Sequence, residues 1–515
     1  MDEAALFQGA FEVDPSRPDP LHRQLYDSLR RSILEGRLAA GVRLPATRKL
    51  AEGLDVSRNT VLAAFEQLTA EGYLESRVGS GTRVARLPPE TLLHVGPARA
   101  TTQPSPEPPA PTAELSRRGR ELAAIRRPVT SPGLAFQPGM PAIPEFPFGL
   151  WARLLSRRAR QVRSDALGYR HNAGFPALKR AIAAYLSASR GVRCEPEQVV
   201  VVCGAQAGLD VASRMLVDPG DPVWIENPGY LGARGALTAA GARLVPMAVD
   251  EEGLDVAAAE ERCADAKLAY VTPSRQFPLG HTMSLARRLA LIEWAGRRNA
   301  WILEDDYESE YRYTGRPLAA LQGLDRKERV VYVGTFSKTM FPAMRVGYLI
   351  VPSRLVDAFA TALRNTGHAA PVPVQAALAD FLNDGHFGSH VRRMRGLYAE
   401  RGQRLAELLR SELGGALAVP DATAGIQLSC PLVLPLDDAE ISRRAAELGV
   451  HATAFSQYTI GAPEQRGFYL GFAAVPPKDM PDAVERLARA IASVRKDASV
   501  TTRSTSPRRT ARSRK

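Results

Sequence analysis

Lys338 is the side chain of this sequence whose type and neighbours most directly allow covalent chemistry. The chain holds eight lysines against fifty-nine arginines. A lysine amine can form a Schiff base with an aldehyde, whereas the guanidinium of arginine stays protonated and cannot. Lys338 follows the apolar run Val330–Val333, lies among small hydroxyl residues and precedes Arg345 by seven positions. This setting predicts a buried amine beside a bound phosphate group.

Other reactive side chains follow short apolar runs that are typical of buried strands. Val199–Val202, Val223–Ile225 and Trp301–Leu303 are three such runs. In a doubly wound sheet, ligands bind beyond the carboxyl ends of the strands, so we expect the residues after these runs to share one pocket. The residues selected in this way are Ala205, Gln206, Tyr230, Asp305, Tyr307, Thr335, Ser337, Lys338 and Arg345.

This set fits a phosphorylated pyridine aldehyde, pyridoxal 5'-phosphate. Lys338 would form the Schiff base, and Asp305 would pair with the protonated pyridine nitrogen, which strengthens the ring as an electron sink. Tyr230 would stack on the ring, and Tyr307 would hydrogen-bond its hydroxyl group. Each residue also has a structural interpretation, because a lone lysine after a strand usually faces solvent and an acidic pair is often solvated or caps a helix.

The phosphate of this ligand would lie where a helix begins after a strand. Bare backbone amides at Ala205 and Gln206 would bind it, and Arg345 with the hydroxyl of Ser337 would add charge-assisted hydrogen bonds. Thr335 belongs to the same set of expected cofactor contacts.

Residues 20–86 show the periodicity of a small helical unit. Leu21, Leu25, Leu29 and Ile33 recur every four residues, as one face of a helix requires. Ser57 is a good N-cap for a third helix, and glycines at 79 and 81 indicate a short hairpin. Three helices followed by a hairpin predict a winged helix-turn-helix of the α+β class.

The start of the third helix would enter the major groove of DNA. Arg58 can make a bidentate contact to guanine, and Asn59 can pair with adenine, whereas Arg48 and Lys49 suit phosphates. The alternative is a protein-docking module in which Arg58 is a solvated charge. The expected DNA contacts are Arg48, Lys49, Ser57, Arg58, Asn59, Thr60, Gly79 and Gly81.

Composition divides the chain into five regions. A proline-rich stretch cannot form a core and predicts an extended linker. Alternating strands and helices predict an α/β domain, and a Ser, Thr, Arg and Pro composition at the end predicts disorder. The regions are an N-terminal arm at 1–19, the winged helix at 20–86, the linker at 87–131, the α/β domain at 132–496 and a basic tail at 497–515.

Cysteine usage and hydropathy indicate a cytoplasmic protein without a membrane anchor. The four cysteines lack metal-type spacing, and reduced thiols fit the cytoplasm. No apolar run reaches membrane-spanning length, and the first residues lack the pattern of a signal peptide.

The stretch Pro20–Ala85 resembles the GntR-type winged helix. The matching segments include Leu44-Pro45-Ala46-Thr47-Arg48, Val56-Ser57-Arg58-Asn59-Thr60-Val61, Glu71-Gly72-Tyr73-Leu74 and Gly79-Ser80-Gly81-Thr82. The resemblance implies binding to operator DNA.

The large domain resembles fold-type I aminotransferases, which bind pyridoxal 5'-phosphate. The specific part is Ser337-Lys338 with Arg345-Val346-Gly347-Tyr348. The fused arrangement resembles the MocR/GabR-type regulators. This resemblance implies a homodimer with pockets at the subunit interface, in which Tyr169 would reach the phosphate of the cofactor on the partner subunit.

Three positions depart from the pattern that the resemblance implies. Arg275 stands where many relatives carry histidine. Tyr469 stands where those enzymes carry the arginine that binds the substrate carboxylate, and a phenol cannot replace that charged fork. Phe277 stands at the place of an asparagine that contacts the cofactor ring hydroxyl. We therefore expect a transcription regulator that senses an amine, an amino acid or the cofactor itself, and not a physiological enzyme. A working aminotransferase with a fused DNA-binding module is the alternative.

Overall fold

The computed structural model describes residues 11, 13–77, 81–86, 115–125, 133–161, 173–315 and 318–504. The chain divides into two compact units, Met1–Ala113 and Glu114–Lys515. Gly79 and Tyr169, both expected above to be contact residues, lie outside the described residues. None of the described helices combines the length and the apolar composition that crossing a membrane requires.

The N-terminal unit consists of three helices followed by a two-stranded antiparallel hairpin, so the predicted winged helix-turn-helix is confirmed. Three of the four periodic apolar positions of the first helix, those after Leu21, are buried together with Val61, Phe65 and Leu68 of the third. The elements are α1 Leu21–Leu34, α2 Thr47–Gly53, α3 Arg58–Ala70, β1 Leu74–Arg77 and β2 Gly81–Val84.

Ser57 determines where α3 begins. Its backbone is extended, and its Oγ accepts a hydrogen bond from the backbone N–H of Thr60 at 3.1 Å. This bond satisfies one of the amides that a helix start leaves without a partner. Arg58 and Asn59, the first residues of the helix, consequently begin the exposed face of α3.

The second unit begins with a short helix and continues as alternating helices and strands. Its α-helices are α4 Arg117–Ala124, α5 Phe148–Gln161, α6 Pro176–Arg190, α7 Ala205–Leu216, α8 Leu231–Ala240, α9 Val256–Arg262, α10 Leu285–Arg298, α11 Leu321–Leu324, α12 Val356–Thr366, α13 Val372–Asn383, α14 His386–Leu413, α15 Asp438–Glu447 and α16 Met480–Ser504.

An eight-stranded mixed sheet forms the centre of this unit. Its order is β3-β10-β9-β8-β7-β4-β5-β6. The strands from β9 to β5 run parallel, β10 is antiparallel to both of its neighbours, and β6 is antiparallel to β5. The strands are β3 Val199–Val202, β4 Pro222–Asn227, β5 Arg243–Asp250, β6 Gly253–Leu254, β7 Leu268–Val271, β8 Trp301–Asp306, β9 Val330–Thr335 and β10 Gly347–Ile350.

Both faces of the sheet are covered, which explains why its strands are continuous apolar runs. Val199 and Val201 pack into one hydrophobic cluster, whereas Val200 and Val202 pack into another on the opposite face. Since the buried strands run parallel, their carboxyl ends meet at one edge, and polar side chains that follow them are brought together there.

A smaller antiparallel sheet lies in the C-terminal part of the unit. Its order is β11-β13-β12. Helices α14, α15 and α16 contribute to the hydrophobic core beneath it, which also takes in Phe136 from the start of the unit. The strands are β11 Gln427–Pro431, β12 Thr453–Ala454 and β13 Gly467–Gly471.

Two boundaries differ from the sequence-based prediction. The expected linker contains the helix α4. Ser116 caps this helix by accepting a hydrogen bond from the backbone N–H of Gly119 at 3.0 Å. Arg118 of the helix donates a hydrogen bond to the carbonyl of Ala239 at 3.3 Å. The last helix continues to Ser504, so it takes in residues 497–504 of the expected tail; Asp497 pairs with Arg444 at 2.7 Å. Residues 505–515 lie outside the described chain.

Replacing Ser57 by Ala should destabilise the N-terminal unit by about 1 kcal/mol, because the capping bond to Thr60 is lost. Hydrogen exchange of the α3 amides in the full-length protein measures this loss. Ser57→Asp keeps a capping oxygen and serves as the matched control. Equal protection of α3 in Ser57→Ala and in the parent protein would contradict the assignment of the cap.

Candidate functional site

A cavity of about 470 Å³ opens at the carboxyl edge of the large sheet. All the expected cofactor contacts that the structure describes line this cavity. They come from the ends of β3, β4, β8 and β9 and from the segments that follow these strands. The structure thus brings together Ala205, Gln206, Tyr230, Asp305, Tyr307, Thr335, Ser337, Lys338 and Arg345.

Lys338 extends into the cavity from the loop after β9. Its Nζ donates a hydrogen bond to the carbonyl oxygen of Gly139 at 2.7 Å. Burial lowers the pKa of the amine, and the carboxylates of Glu308 and Asp305 oppose this shift. A Cβ on Gly139, which has a φ of +70°, would lie 2.5 Å from Nζ, so the close approach requires glycine at this position.

Asp305 ends β8 with its carboxyl group in the cavity. Its Oδ2 accepts a hydrogen bond from the Tyr270 hydroxyl at 2.8 Å, whereas Oδ1 is buried and makes no hydrogen bond within the described residues. Burial raises the pKa of this carboxyl to about 7. A buried acceptor without a donor is costly, and a protonated pyridine nitrogen would supply the missing donor.

The neighbouring Asp306 fulfils a different task. Its Oδ2 lies 2.8 Å from Nε of Arg190 on α6 and accepts a hydrogen bond from Tyr332 at 2.8 Å. Arg190 also donates to Ser274 in the loop after β7 at 2.6 Å. Because successive side chains of a strand point to opposite faces, this buried ion pair fixes the end of β8 while Asp305 faces the cavity.

The expected phosphate site is built from a helix start and two close approaches of the chain. Gly204 has a φ of +80° and precedes α7, and a Cβ on it would lie 3.5 Å from Cζ of Arg345. A Cβ on Gly347 would lie 2.7 Å from the backbone nitrogen of Ala205. The first amides of α7 and the guanidinium of Arg345 therefore adjoin, which suits an anion.

Two expected contacts in this region also make bonds within the protein. The side-chain amide of Gln206 donates to the carbonyl of Gly232 at 2.8 Å, which leaves its backbone amide in the first turn of α7. Thr335 Oγ1 accepts from the backbone N–H of Ser337 at 3.1 Å and so shapes the loop that carries Lys338.

A group of aromatic rings also lines the cavity. Phe277 lies at their centre and meets each of the others edge to face. Its ring centroid is 5.4 Å from that of Tyr230, 6.2 Å from Tyr307, 4.8 Å from Tyr458 and 5.1 Å from Tyr469. Tyr230 lies in this group, and Phe277 puts an apolar ring at the position where, by resemblance, aminotransferases carry a hydrogen-bonding asparagine.

A hydrogen-bonded chain behind Lys338 was missed by the sequence analysis. Gln427 on β11 accepts from the backbone N–H of Gly139 at 2.9 Å and donates to Glu308 at 2.5 Å. Glu308 in turn lies 2.8 Å from Nε of the buried Arg275. One available signal was the polar residue Gln427 between the apolar Ile426 and Leu428, and Tyr270 gave a similar signal in β7.

The residues expected to contact DNA lie at the surface of the N-terminal unit. Lys49, Arg58 and Asn59 are exposed, and Arg48 is within 3.3 Å of Glu52 on the same helix. Ser57 serves as the cap described above, and Thr60 is half-buried beside it. Gly81, the described glycine of the hairpin, has a φ of +81°, so the turn favours glycine there.

Two family models match this chain. The model described as aminotransferase class I and II matches residues 150–487, and the model described as bacterial regulatory proteins, gntR family, matches residues 21–84. The first range contains the lining residues of the cavity from Ala205 to Tyr469, and the second contains the winged helix.

Relatives with the same two parts extend over nearly the whole chain. The "Probable rhizopine catabolism regulatory protein MocR" of Rhizobium meliloti is 47% identical over 92% of this chain and 94% of its own length. The pyridoxine biosynthesis transcriptional regulator PdxR of Corynebacterium glutamicum is 30% identical over 90% of this chain and 94% of its own.

Solved structures match the large unit. The α-aminoadipate aminotransferase of Thermus thermophilus, complexed with N-(5'-phosphopyridoxyl)-L-leucine, is 26% identical and superposes with a TM-score of 0.65 over 74% of this chain and 96% of its own. With the fit of the cavity and the family matches, this likeness indicates that the chain binds pyridoxal 5'-phosphate. The protein belongs to the MocR-type family of transcriptional regulators, in which a GntR-type DNA-binding domain is joined to an aminotransferase-like domain.

Proposed function

We propose that this regulator holds pyridoxal 5'-phosphate on Lys338 and controls transcription as a homodimer in response to a small molecule that enters the same cavity. The observation that carries the proposal is the pairing of two buried groups in that cavity. The amine of Lys338 and Oδ1 of Asp305, which has no hydrogen-bond partner among the described residues, line one cavity; this supports an assignment of the aldehyde of one cofactor to the first and of its ring nitrogen to the second. The small molecule is an amine, an amino acid or the cofactor itself.

When bound, pyridoxal 5'-phosphate supplies an aldehyde that reacts reversibly with amines and a ring that withdraws electrons. Asp305 holds the proton of the ring nitrogen, and Tyr270 orients Asp305 through the hydrogen bond to Oδ2. Arg345 and the first amides of α7 bind the phosphate. Tyr230 covers the ring from the side.

The amine of Lys338 is prepared for reaction by its burial. Only a neutral amine is a nucleophile, and burial lowers the pKa of Lys338, which raises the neutral fraction near neutral pH. The hydrogen bond to Gly139 aims Nζ at one point of the cavity. These features support a role in reversible attachment, since the same amine is available to leave and to return.

The residue that replaces the carboxylate-binding arginine of aminotransferases favours ligand sensing over catalytic turnover. Tyr469 on β13 lines the cavity where an aminotransferase would bind a carboxylate. Arg466, the nearest arginine in sequence, is within 3.2 Å of Asp437 and donates to the carbonyl of Leu436 at 3.3 Å, so it does not take over that task. A ligand passes a signal when it favours one conformation of the regulator over another.

The exposed start of α3 supports operator recognition by the winged helix. The side chain of Arg58 is exposed in the first turn of α3 and is therefore accessible to the edge of a base. Lys49 lies on the neighbouring helix and suits a phosphate. Two such units in a homodimer would read two half-sites, whose spacing follows the symmetry of the protein.

Lys338→Ala should abolish covalent attachment of the cofactor, because the replacement has no amine. The measurement is borohydride reduction of the yellow protein, followed by mass determination of the modified peptide. Lys478→Ala, at an exposed lysine, is the matched control and should retain the reduced adduct. An adduct that persists in Lys338→Ala would contradict the proposal.

Arg58→Ala should weaken binding to operator DNA by about 1–3 kcal/mol and relax base preference at one position, because a bidentate base contact is lost. Fluorescence anisotropy with DNA from the intergenic region beside the gene measures the affinity. Arg31→Ala, at an exposed arginine of α1, is the control. The cofactor spectrum of Arg58→Ala should be unchanged; equal affinity of Arg58→Ala and the parent protein would exclude Arg58 from the interface.

The cofactor-free protein should lose stability as pH rises, and Asp305→Asn should reduce this loss. The pKa of Asp305 rises from 3.8 when unfolded to about 7 when folded, so the folded state binds the proton more tightly. Its stabilising contribution is complete below the unfolded pKa and disappears as pH rises through the folded pKa.

Thermal unfolding of the cofactor-free protein at about pH 5 and about pH 8 measures this difference. Glu226, Glu304 and Glu310 also have pKa values raised to about 7 by burial, so Asp305→Asn should remove part of the decrease in Tm. Glu485→Gln, at an exposed carboxylate of α16, is the control. An undiminished decrease in Asp305→Asn would contradict the raised pKa.

A further inference from the structure

One wall of the cavity carries three buried polar atoms that make no hydrogen bond within the described residues. They are Nδ1 of His451, Oγ1 of Thr453 and the hydroxyl of Tyr469. Thr453 on β12 is directly opposite Tyr469 on β13, and His451, two positions before Thr453, lines the same cavity. We call these three residues the neutral wall.

The neutral wall is not needed for the cofactor contacts assigned above. The Tyr469 hydroxyl adjoins that of Tyr307, and Thr453 adjoins Tyr458, but none of the three atoms of the wall has a hydrogen bond of normal geometry among the described residues. Leaving buried polar groups unpaired is costly, and native proteins seldom do so without a reason. Three such atoms on one wall of a ligand cavity indicate that a ligand supplies the partners.

The neutral wall offers no charge to a ligand carboxylate. Burial lowers the pKa of His451, so its imidazole is neutral near neutral pH. Of the cations that line the cavity within the described chain, Lys338 faces the aldehyde site and Arg345 faces the phosphate site. The nearby Arg275 is already within 2.8 Å of Glu308 and donates to the carbonyl of Gln427 at 2.8 Å.

We propose that the ligand sensed by this regulator is a primary amine whose other polar groups are uncharged hydroxyl, ether or amide groups, hydrogen-bonded by His451, Thr453 and Tyr469. This inference rests on the proposed function, because the amine must replace Lys338 on the cofactor. In that exchange the ligand nitrogen would take the place of Nζ on the aldehyde carbon, and two hydrogens would pass from the ligand nitrogen to Nζ of Lys338. No oxidant or reductant is consumed.

A pair of matched amines tests this inference on the full-length protein loaded with pyridoxal 5'-phosphate. 2-Amino-1,3-propanediol and L-serine differ in one group, a hydroxymethyl in the first and a carboxylate in the second. The change in visible absorbance of the cofactor and the shift in Tm are followed against the concentration of each. The diol should reach half-saturation at a concentration about tenfold lower than serine, or less.

Two variants locate the preference on the neutral wall. Tyr469→Arg introduces a charged fork and should shift the ratio of the two half-saturation concentrations by about tenfold or more towards serine. Tyr469→Phe removes the hydroxyl without adding charge, so it should weaken binding of the diol and leave serine weak. His451→Phe and Thr453→Val should weaken the diol in the same way.

The inference is overturned if serine binds the parent protein as well as the diol does, or if Tyr469→Arg leaves the ratio unchanged. It is also overturned if neither amine changes the spectrum of a protein that carries the cofactor, a result that would point to cofactor occupancy as the signal. A protein that shows no cofactor band before any amine is added would instead refute the proposed function, so the two failures are distinguishable.

Discussion

The burial of a primary amine is the constraint on which the whole cavity depends. Away from water, the ammonium form of Lys338 is penalised more than the carboxylates of Glu308 and Asp305 favour it, so its pKa falls. The protein compensates by placing a carbonyl acceptor at 2.7 Å. That acceptor belongs to a glycine, because a side chain there would collide with Nζ. The approach of Gly139 is in turn secured by Gln427.

The cost of burying a charge also explains how the acidic side chains at the carboxyl edge of the sheet are arranged. Parallel strands end together, and β8 brings Glu304, Asp305 and Asp306 to one place. The three buried carboxyl groups have different partners. Glu304 accepts hydrogen bonds from two backbone N–H groups at the start of α11, and Asp306 forms an ion pair with Arg190. Asp305 lines the cavity and has one oxygen without a partner among the described residues. The open oxygen is the one that a cationic ring can use.

The sequence was sufficient to predict the parts of the site that are local in the chain. Lys338, Asp305 and Arg345 follow strands within a few residues, and the rule for parallel sheets brings strand ends together. The bond between Lys338 and Gly139 spans 199 residues, and that between Gly139 and Gln427 spans 288. Periodicity carries no information about which distant loops meet, so these contacts, like the neutral wall, required the folded structure.

The segment that carries Gly139 also has contacts on either side of the cavity. Ala135 forms an isolated β-bridge with Val450. The carbonyl of Ala135 accepts a hydrogen bond from the backbone N–H of His451 at 2.8 Å, and that of Phe136 accepts one from the backbone N–H of Gly471 at 2.8 Å. This segment follows α4 in the sequence of the large unit. If Lys338 carries the cofactor as proposed, its Nζ has fewer hydrogens to donate than the free amine, so the hydrogen bond to Gly139 would change when a ligand replaces Lys338. That change would reach a segment whose carbonyls at Ala135 and Phe136 bind His451 and Gly471.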